Sequence, residues 1–513
     1  MPPDMTEWLP DDHLAWFVLD VVAELDTSVF HARHRQVGPG RAAYDPDMLL
    51  GLLLYSYAVG QRSSRRIESL CVTDVAFGVV CAQDAPDHTT VARFRAVHED
   101  AFADLFTQVL VMCAKAGMGR VGVVAIDGTK IAANASRGAN RTEETLLAEA
   151  KRILAEAAAV DAVENEEFGD KRGDELPPRF AERSGRGARI RKALEEVSKQ
   201  RVRTEELTEG ERIRAEEYVR AVEAGEAPFG RTPKGVDPAR VARARLNRAS
   251  TRHRDAVDRQ ARSDAAKEIR RGERALEETE ALAAAGTDHE TAIVTKRTQR
   301  MLNKPVRANT TDPDSRLMTS SNNGSIQGFN AQIVVSDDYL ILATKLTQDA
   351  NDVASFEPMM NPAAAAAERV LAAQPPTEDH AEEERPTGVG LILADAGYRS
   401  EHNLTIDGPD RLIALGKARE LHRDARKHPA AGPPPDDATP IDKMRHRLRT
   451  PEGVQAYKRR GATVEPINAH LKDQVGLRRF SRRGLKAASS ELNLATAVVN
   501  LLKLHSRMNP AAN

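Results

Sequence analysis

Apolar residues recur at helical spacing through the first 118 residues, and that spacing predicts helices over 11–25, 45–59, 63–70, 90–98 and 101–117. Asp45 followed by Pro46 has the form of a helix start, a capping side chain and then a proline at the first helical position. The pattern then changes. Val123-Val124-Ala125-Ile126 is a run of apolar, largely β-branched residues ending in Asp127-Gly128, and it predicts a buried strand. Two more β-rich runs, 326–335 and 339–346, flank Ser336-Asp337-Asp338 and predict a hairpin. A helix follows over 353–373, then an acidic, proline-containing loop up to Thr387, a strand ending at Asp395, and a further strand at 411–415. The order strand, hairpin, helix, strand, strand, helix predicts an α/β fold built on a mixed sheet.

Residues 141–300 break this rhythm. They are rich in Ala, Glu and Arg, poor in aromatics, and interrupted near 169–187 and 225–235. Long helices are expected there. Apolar spacing in 142–163 and 239–285 suits a helical hairpin or antiparallel coiled coil, with no sustained heptad. The resulting division is a helical N-terminal domain over 1–118, a catalytic core over 119–140 and 301–418, a charged helical insertion over 141–300, and a flexible linker over 419–444 that contains Pro433-Pro434-Pro435. The last part, 445–513, completes the core, with an amphipathic helix over 487–504 packing back on it. The insertion suits dimerisation, DNA clamping or a plain solvated spacer.

Length and composition set the outer limits. The 513 residues allow two to four domains, and no apolar stretch is long enough to span a bilayer. The start Met1-Pro2-Pro3-Asp4 lacks the basic and then apolar character of a secretory leader, so cytoplasmic residence is expected. Cys71, Cys81 and Cys113 are odd in number and lack metal-type spacing, so they are read as reduced, semi-buried thiols. No Gly-rich Walker loop for nucleotide phosphates occurs.

The chemistry rests on three carboxylates. Asp127 and Asp395 each end a buried strand, where an uncompensated charge costs several kcal/mol. Mg²⁺ compensates such charge, taking oxygen ligands and one or two protein carboxylates. Two ions roughly 3.5–4 Å apart activate the attacking oxygen and stabilise the leaving oxygen of a phosphoryl displacement. Glu465 is expected at the start of a helix, with Pro466 in its first turn and Lys472 two turns on along the same face. Upstream, Tyr457 and Arg460 belong to a basic run that Gly461 is expected to end, and arginine's planar fork suits a phosphate. Asp127 alone, followed by Gly, reads more readily as an ordinary turn; the three acids together do not. Asp312 and Asp314 read as turn residues, His470 as a surface group, and Tyr398 and Arg399 as lining the site at most.

These residues resemble the DDE transposases of bacterial insertion sequences, in the branch with a Tyr-Arg-Glu-Lys signature around the glutamate. The resemblance covers residues 15–115, the Asp127 strand, Thr311–Arg316 leading into Gln327–Gln332, the Asp395-Ala-Gly-Tyr398 turn, and 457–506. It implies a ribonuclease-H-like catalytic core in which Asp127, Asp395 and Glu465 are catalytic and hold two Mg²⁺, with Mn²⁺ able to replace it. It also implies that Tyr457, Arg460 and Lys472 contact transposon-end DNA, and that the activity is strand cleavage at the ends, with a hairpin end intermediate, followed by transfer into target DNA. Four residues separate Arg460 from Glu465, where the signature has three.

Net charge is only −2, but it is unevenly spread: from Arg445 to Lys486 twelve Lys or Arg face Glu452, Glu465 and Asp473. Such a patch neutralises phosphates. The helix after Asp87 carries Arg93, with Arg95 as a second candidate, on its expected exposed face, which suits a helix-turn-helix module and equally an ordinary helical packing domain; the resemblance makes the terminal inverted repeats their target. Double-stranded DNA at the nucleoid is the expected partner, and a homodimer the expected active complex. A catalytically inactive DNA-binding descendant and a host nuclease of the same fold are the alternatives.

Overall fold

A computed structural model describes residues 5–33, 43–168, 181–225, 233, 236–256, 258–284, 306–319, 324–376 and 386–509. They form two compact units, one of residues 1–139 with 311–513 and one of residues 140–310.

The first unit is built on β1 (Val123–Ala132), the strand at the middle of its sheet. β5 (Ser325–Ser336) pairs antiparallel with it over nine positions, from Val124 with Ser336 to Ala132 with Gly328. β7 (Leu391–Ala394) pairs with its other side in parallel, and β8 (Asp410–Ile413) runs parallel to β7. The outer side of β5 carries two partners, β4 (Arg316–Thr319) and β6 (Ile341–Thr347). The antiparallel hairpin β5–β6 next to the first strand, and a helix (Phe356–Ala373) crossing over to parallel β7, give the ribonuclease-H-like order expected from the sequence.

The parallel pairing of β1 with β7 stops at Ala125 opposite Leu393. Beyond that point β1 continues to Ala132 while β7 ends at Ala394, so Asp395 stands just past the end of its strand, whereas Asp127, expected at a strand end, lies in the middle of β1, two residues past its last pairing with β7. The helix Leu485–Met508 covers β6. Asn500 both accepts from the Ile341 amide and donates to its carbonyl, each at 2.9 Å, satisfying backbone groups that an edge strand otherwise exposes.

Helices Leu14–Glu24, Pro46–Ala58, Ser64–Thr73, His88–Val97 and Ala101–Lys115 appear close to the expected positions, joined by a short helix Val75–Val80 that the periodicity did not reveal. Their core is continuous with that of the sheet, so position 118 is a change of secondary structure and not a gap in packing. The stretch 419–444 also differs from a flexible linker. It contains most of the helix Ala418–Lys427 and the start of Pro440–Arg447, and it is tied down by a bidentate Arg449–Asp424 pair at 2.7 and 3.0 Å.

The second unit pairs β2 (Asn140–Thr142) with β3 (Arg307–Asn309), which closes the two ends of the insertion on each other. Its helices are Glu143–Phe168, Ala181–Glu223, Pro238–Asp255 and Arg259–Ala284. Leu146, Ile190, Ala193, Val197 and Ala308 form a small core there, and Arg240 bridges Glu216 and Glu223. The ends of the expected insertion, 141 and 300, fall within ten residues of the unit's own bounds.

Candidate active site

Glu465 does not stand at a helix start. One helix runs from Pro451 to Asp473, straight through Gly461 and Pro466. Thr450 caps it by accepting from the Gly453 amide at 3.0 Å, and Pro451 occupies the first turn, so the start signal lies fourteen residues before Glu465. The continuous helix lies against β1 and sets three side chains on it. Asn468 Nδ2 donates to Asp127 Oδ2 at 2.9 Å, Arg460 Nη1 approaches Asp127 Oδ1 at 3.4 Å, and Lys472 Nζ donates to Thr129 Oγ1. Asp127 and Thr129 are two apart in a strand and so share one face of the sheet.

Asp127 is largely buried, and burial raises its pKa to about 6; Arg460 pulls it down, while the carboxylates of Asp395 and Asp352 push it up. Arg460 in turn is held in its charged form by Asp127, Tyr457, Asp395 and Glu465, against the cost of its own burial. This guanidinium therefore lies in the field of all three expected acids. Tyr457 is half-buried beside it, its hydroxyl pKa raised by burial. Lys472 has its pKa lowered by burial and by Arg478. Asp395 ends its strand and accepts from the Gly397 amide at 2.8 Å. Glu465 is solvent-exposed and lies back along its own helix, 3.2 Å from where a Cβ on Gly461 would be.

Asp352 is an acid that no sequence pattern singled out. It sits at the end of the loop after β6, and its Oδ1 accepts from Asn330 and Gln332, each at 2.8 Å. Gln332 faces Gly128 across the β1–β5 ladder, so it points to the side of the sheet opposite Asp127. Asp352 therefore reaches the site from behind, through space that two glycines leave open. A Cβ at position 128 would fall 2.1 Å from Asp352 Oδ1, and one at 397 would fall 3.1 Å from its Oδ2 and 2.9 Å from Asp395 Oδ1. Gln332 also accepts from the buried Tyr398 hydroxyl at 2.5 Å, which ties the Asp395 turn to the same group. The available signal was Asn330 and Gln332 themselves: polar residues two apart in a buried strand must serve a buried partner.

Other expected contacts are redistributed. Arg95 lies on the inner face of its helix with Val91, Phe94 and His98, is 6% exposed, and donates to the Tyr57 hydroxyl and the Arg62 carbonyl; Arg93 is exposed. The i, i+3, i+4, i+7 spacing from Val91 puts Arg95 inside. Eight of the twelve basic residues are paired: Arg445 with Asp442, Arg447 with Asp410, Arg449 with Asp424, Arg459 with Asp337, Arg460 with Asp127, Arg478 with Asp473, Arg482 with Glu99 and Lys486 with Asp100. The charge count alone thus overstates the free positive surface.

Residues 3–97 match a transposase domain (DUF772), and residues 437–505 match a transposase DDE domain. Both matches are to transposase domains, and together they support an insertion-sequence DDE transposase. The second match includes Tyr457, Arg460, Glu465 and Lys472; Asp127 and Asp395 lie outside both spans. No curated protein and no solved structure matches the chain. A transposase of this kind binds DNA and depends on a divalent metal. The donors fit such an ion: a buried carboxylate under repulsion from two others, with one guanidinium in opposition, is a site short of positive charge. Asp127, Asp395 and Glu465 do not form a closed trio. Among the described residues the three-membered group with ligand atoms within 4.8 Å of one another is His31, Asp45 and Asp47, and those side chains serve an ion pair and a helix cap. No helix among the described residues is long and apolar enough to cross a membrane.

Proposed function

We propose that this transposase cuts one DNA strand at the ends of its element and joins the freed 3′-hydroxyl to the opposite strand or to target DNA, with Asp127, Asp395 and Glu465 as the catalytic carboxylates and two Mg²⁺ ions as cofactor. The observation that carries this reading is Asp127: an acid whose ionisation is opposed by burial and by neighbouring carboxylates, held against the helix that bears Glu465. Mg²⁺ held there would supply the missing positive charge, lower the pKa of the attacking group, water in the cut and the freed 3′-hydroxyl in the joining step, and stabilise the leaving oxygen. The chain's own residues do the rest. Asn468 and Arg460 fix the orientation of Asp127, and the Asp352–Gln332–Tyr398 chain of hydrogen bonds holds the Asp395 turn. Arg460, Tyr457 and Lys472, half-buried along one side of the helix, grip phosphates next to the cleaved bond, as in the Tyr-Arg-Glu-Lys branch. Glu465 stands on the same helix as Arg460 and Asn468, which both touch Asp127. The active complex is a homodimer on paired ends, working at the nucleoid.

A nicking assay on duplex DNA carrying the element's inverted repeat tests this. Wild type is expected to cut only with Mg²⁺ or Mn²⁺, and Asp395→Ala is expected to bind the same DNA and leave it whole. Binding without cutting by both proteins makes the chain a DNA-binding protein. Cutting without joining makes it a nuclease.

A further inference from the structure

Within the first unit a cleft of about 580 Å³ opens between the start of the helix Ser64–Thr73, Arg95, and the segment Arg479–Arg482 that follows the glutamate helix. Five arginines line it, and their partners are unequal. Arg62 is paired with Glu491 at 2.7 Å, and Arg482 with Glu99. Arg65, Arg95 and Arg479 pair with no carboxylate among the described residues.

Arg95 makes this more than a charged surface. Only 6% of it is exposed, its Nη1 is bonded to neutral oxygens only, and its Nε is buried with no acceptor. A guanidinium in that setting is costly unless an anion completes it. The helix beginning at Ser64 adds to the demand. Ser63 makes no side-chain cap, so the first amides of a ten-residue helix are left facing the cleft with the positive end of its dipole. Arginine forks and helix-start amides together match the oxygens of a phosphate group.

The cleft also has a fixed place relative to the carboxylates. Ala132 N donates to the Arg478 carbonyl at 3.2 Å and Phe480 N donates to the Ala132 carbonyl at 2.8 Å, so this segment is fastened to β1 five residues beyond Asp127. At about 3.3 Å per strand residue that is about 17 Å. DNA advances about 3.4 Å per base pair, so the separation equals about five base pairs.

We propose that the cleft clasps one backbone phosphate of the bound duplex about five base pairs from the cleaved bond, with Arg65, Arg95, Arg479 and the amides at Ser64 and Arg65 as its donors. The proposal rests on the transposase reading for the identity of the duplex. A contact to phosphate sets the register of DNA across the carboxylates and carries no base preference.

Fluorescence anisotropy with the full chain tests it, using an inverted-repeat duplex and a random-sequence duplex of equal length between 50 and 200 mM salt. Arg65 and Arg479 are exposed, so Arg65→Ala and Arg479→Ala leave the fold intact. The double variant is expected to bind both duplexes about tenfold more weakly at low salt, with the log–log salt slope flattened by about 0.9 for one lost phosphate. A methylphosphonate at the fifth position is expected to weaken wild type and to leave the double variant unchanged. Wild-type affinity and slope in the double variant overturn the proposal and leave the transposase reading standing. Failure of wild type to bind either duplex overturns both.

Discussion

Asp127→Asn separates the cost of the site from its use. In the folded chain the Asp127 carboxyl has its pKa raised from 3.8 to about 6, and its side chain is 20% exposed, so its ionisation is disfavoured by an environment that solvent screens only weakly. At about 1.4 kcal/mol for each tenfold change in the ionisation constant, that rise makes the ionised acid roughly 3 kcal/mol less favourable folded than unfolded. The sign follows from the direction. A raised carboxyl pKa contributes stability that is present below 3.8 and lost as pH rises through about 6. Asparagine keeps the shape and cannot ionise. Urea denaturation with chelator present should therefore show the two proteins differing little near pH 4, and the variant more stable by about 1–3 kcal/mol at pH 8. Added Mn²⁺ should reverse the order, raising wild type by about 2.7 kcal/mol at a hundred times its dissociation constant and the variant by much less. A variant no more stable than wild type at pH 8 without metal, or equally stabilised by Mn²⁺, would refute Asp127 as a strained metal ligand.

Two further substitutions probe the support behind the site. Gly128→Ala places a methyl 2.1 Å from Asp352 Oδ1 and 2.6 Å from Gln332 Nε2, so it should displace Asp352 and abolish nicking while anisotropy still reports DNA binding. Asp352→Asn keeps a carbonyl oxygen for Asn330 and Gln332 but removes one of the charges that raise the Asp127 pKa. The acid limb of the nicking–pH profile should then move to lower pH, with activity retained in part; an unmoved limb would place Asp352 outside the electrostatics of the site.

Much of the catalytic sheet was legible because its strands obey simple rules. Val123–Ile126 and Leu391–Ala394 are short apolar runs that end in an acid, and β5 and β6 flank a polar turn. Arg95 is misplaced when its charge is weighed above its position, although the spacing from Val91 already puts it on the inner face. The supporting residues were hidden for a different reason. Asp352, Gln332 and Tyr398 are adjacent only after β5 has paired with β1 and the crossover helix has returned, and no local pattern encodes that meeting.

The glutamate helix shows where local rules mislead. Gly461 and Pro466 are both helix-weakening residues, and together they suggest an end and a new beginning. The helix persists because its flanking turns are held by packing: Val464, Ile467 and Leu471 are each at most 1% exposed and fasten this side to the core. Proline at 466 still removes one bond, the one its amide would have made to the carbonyl of Ala462. That loss falls in the turn that bears Glu465, on the exposed side, between Arg460 and Asn468, which both hold Asp127. The helix is thus fastened by packing on the side that holds Asp127 and lacks one backbone bond in the turn that bears Glu465. The four-residue interval between Arg460 and Glu465 belongs to the same design, since at about 100° per residue it sets the two side chains on opposite flanks of the stripe that faces β1.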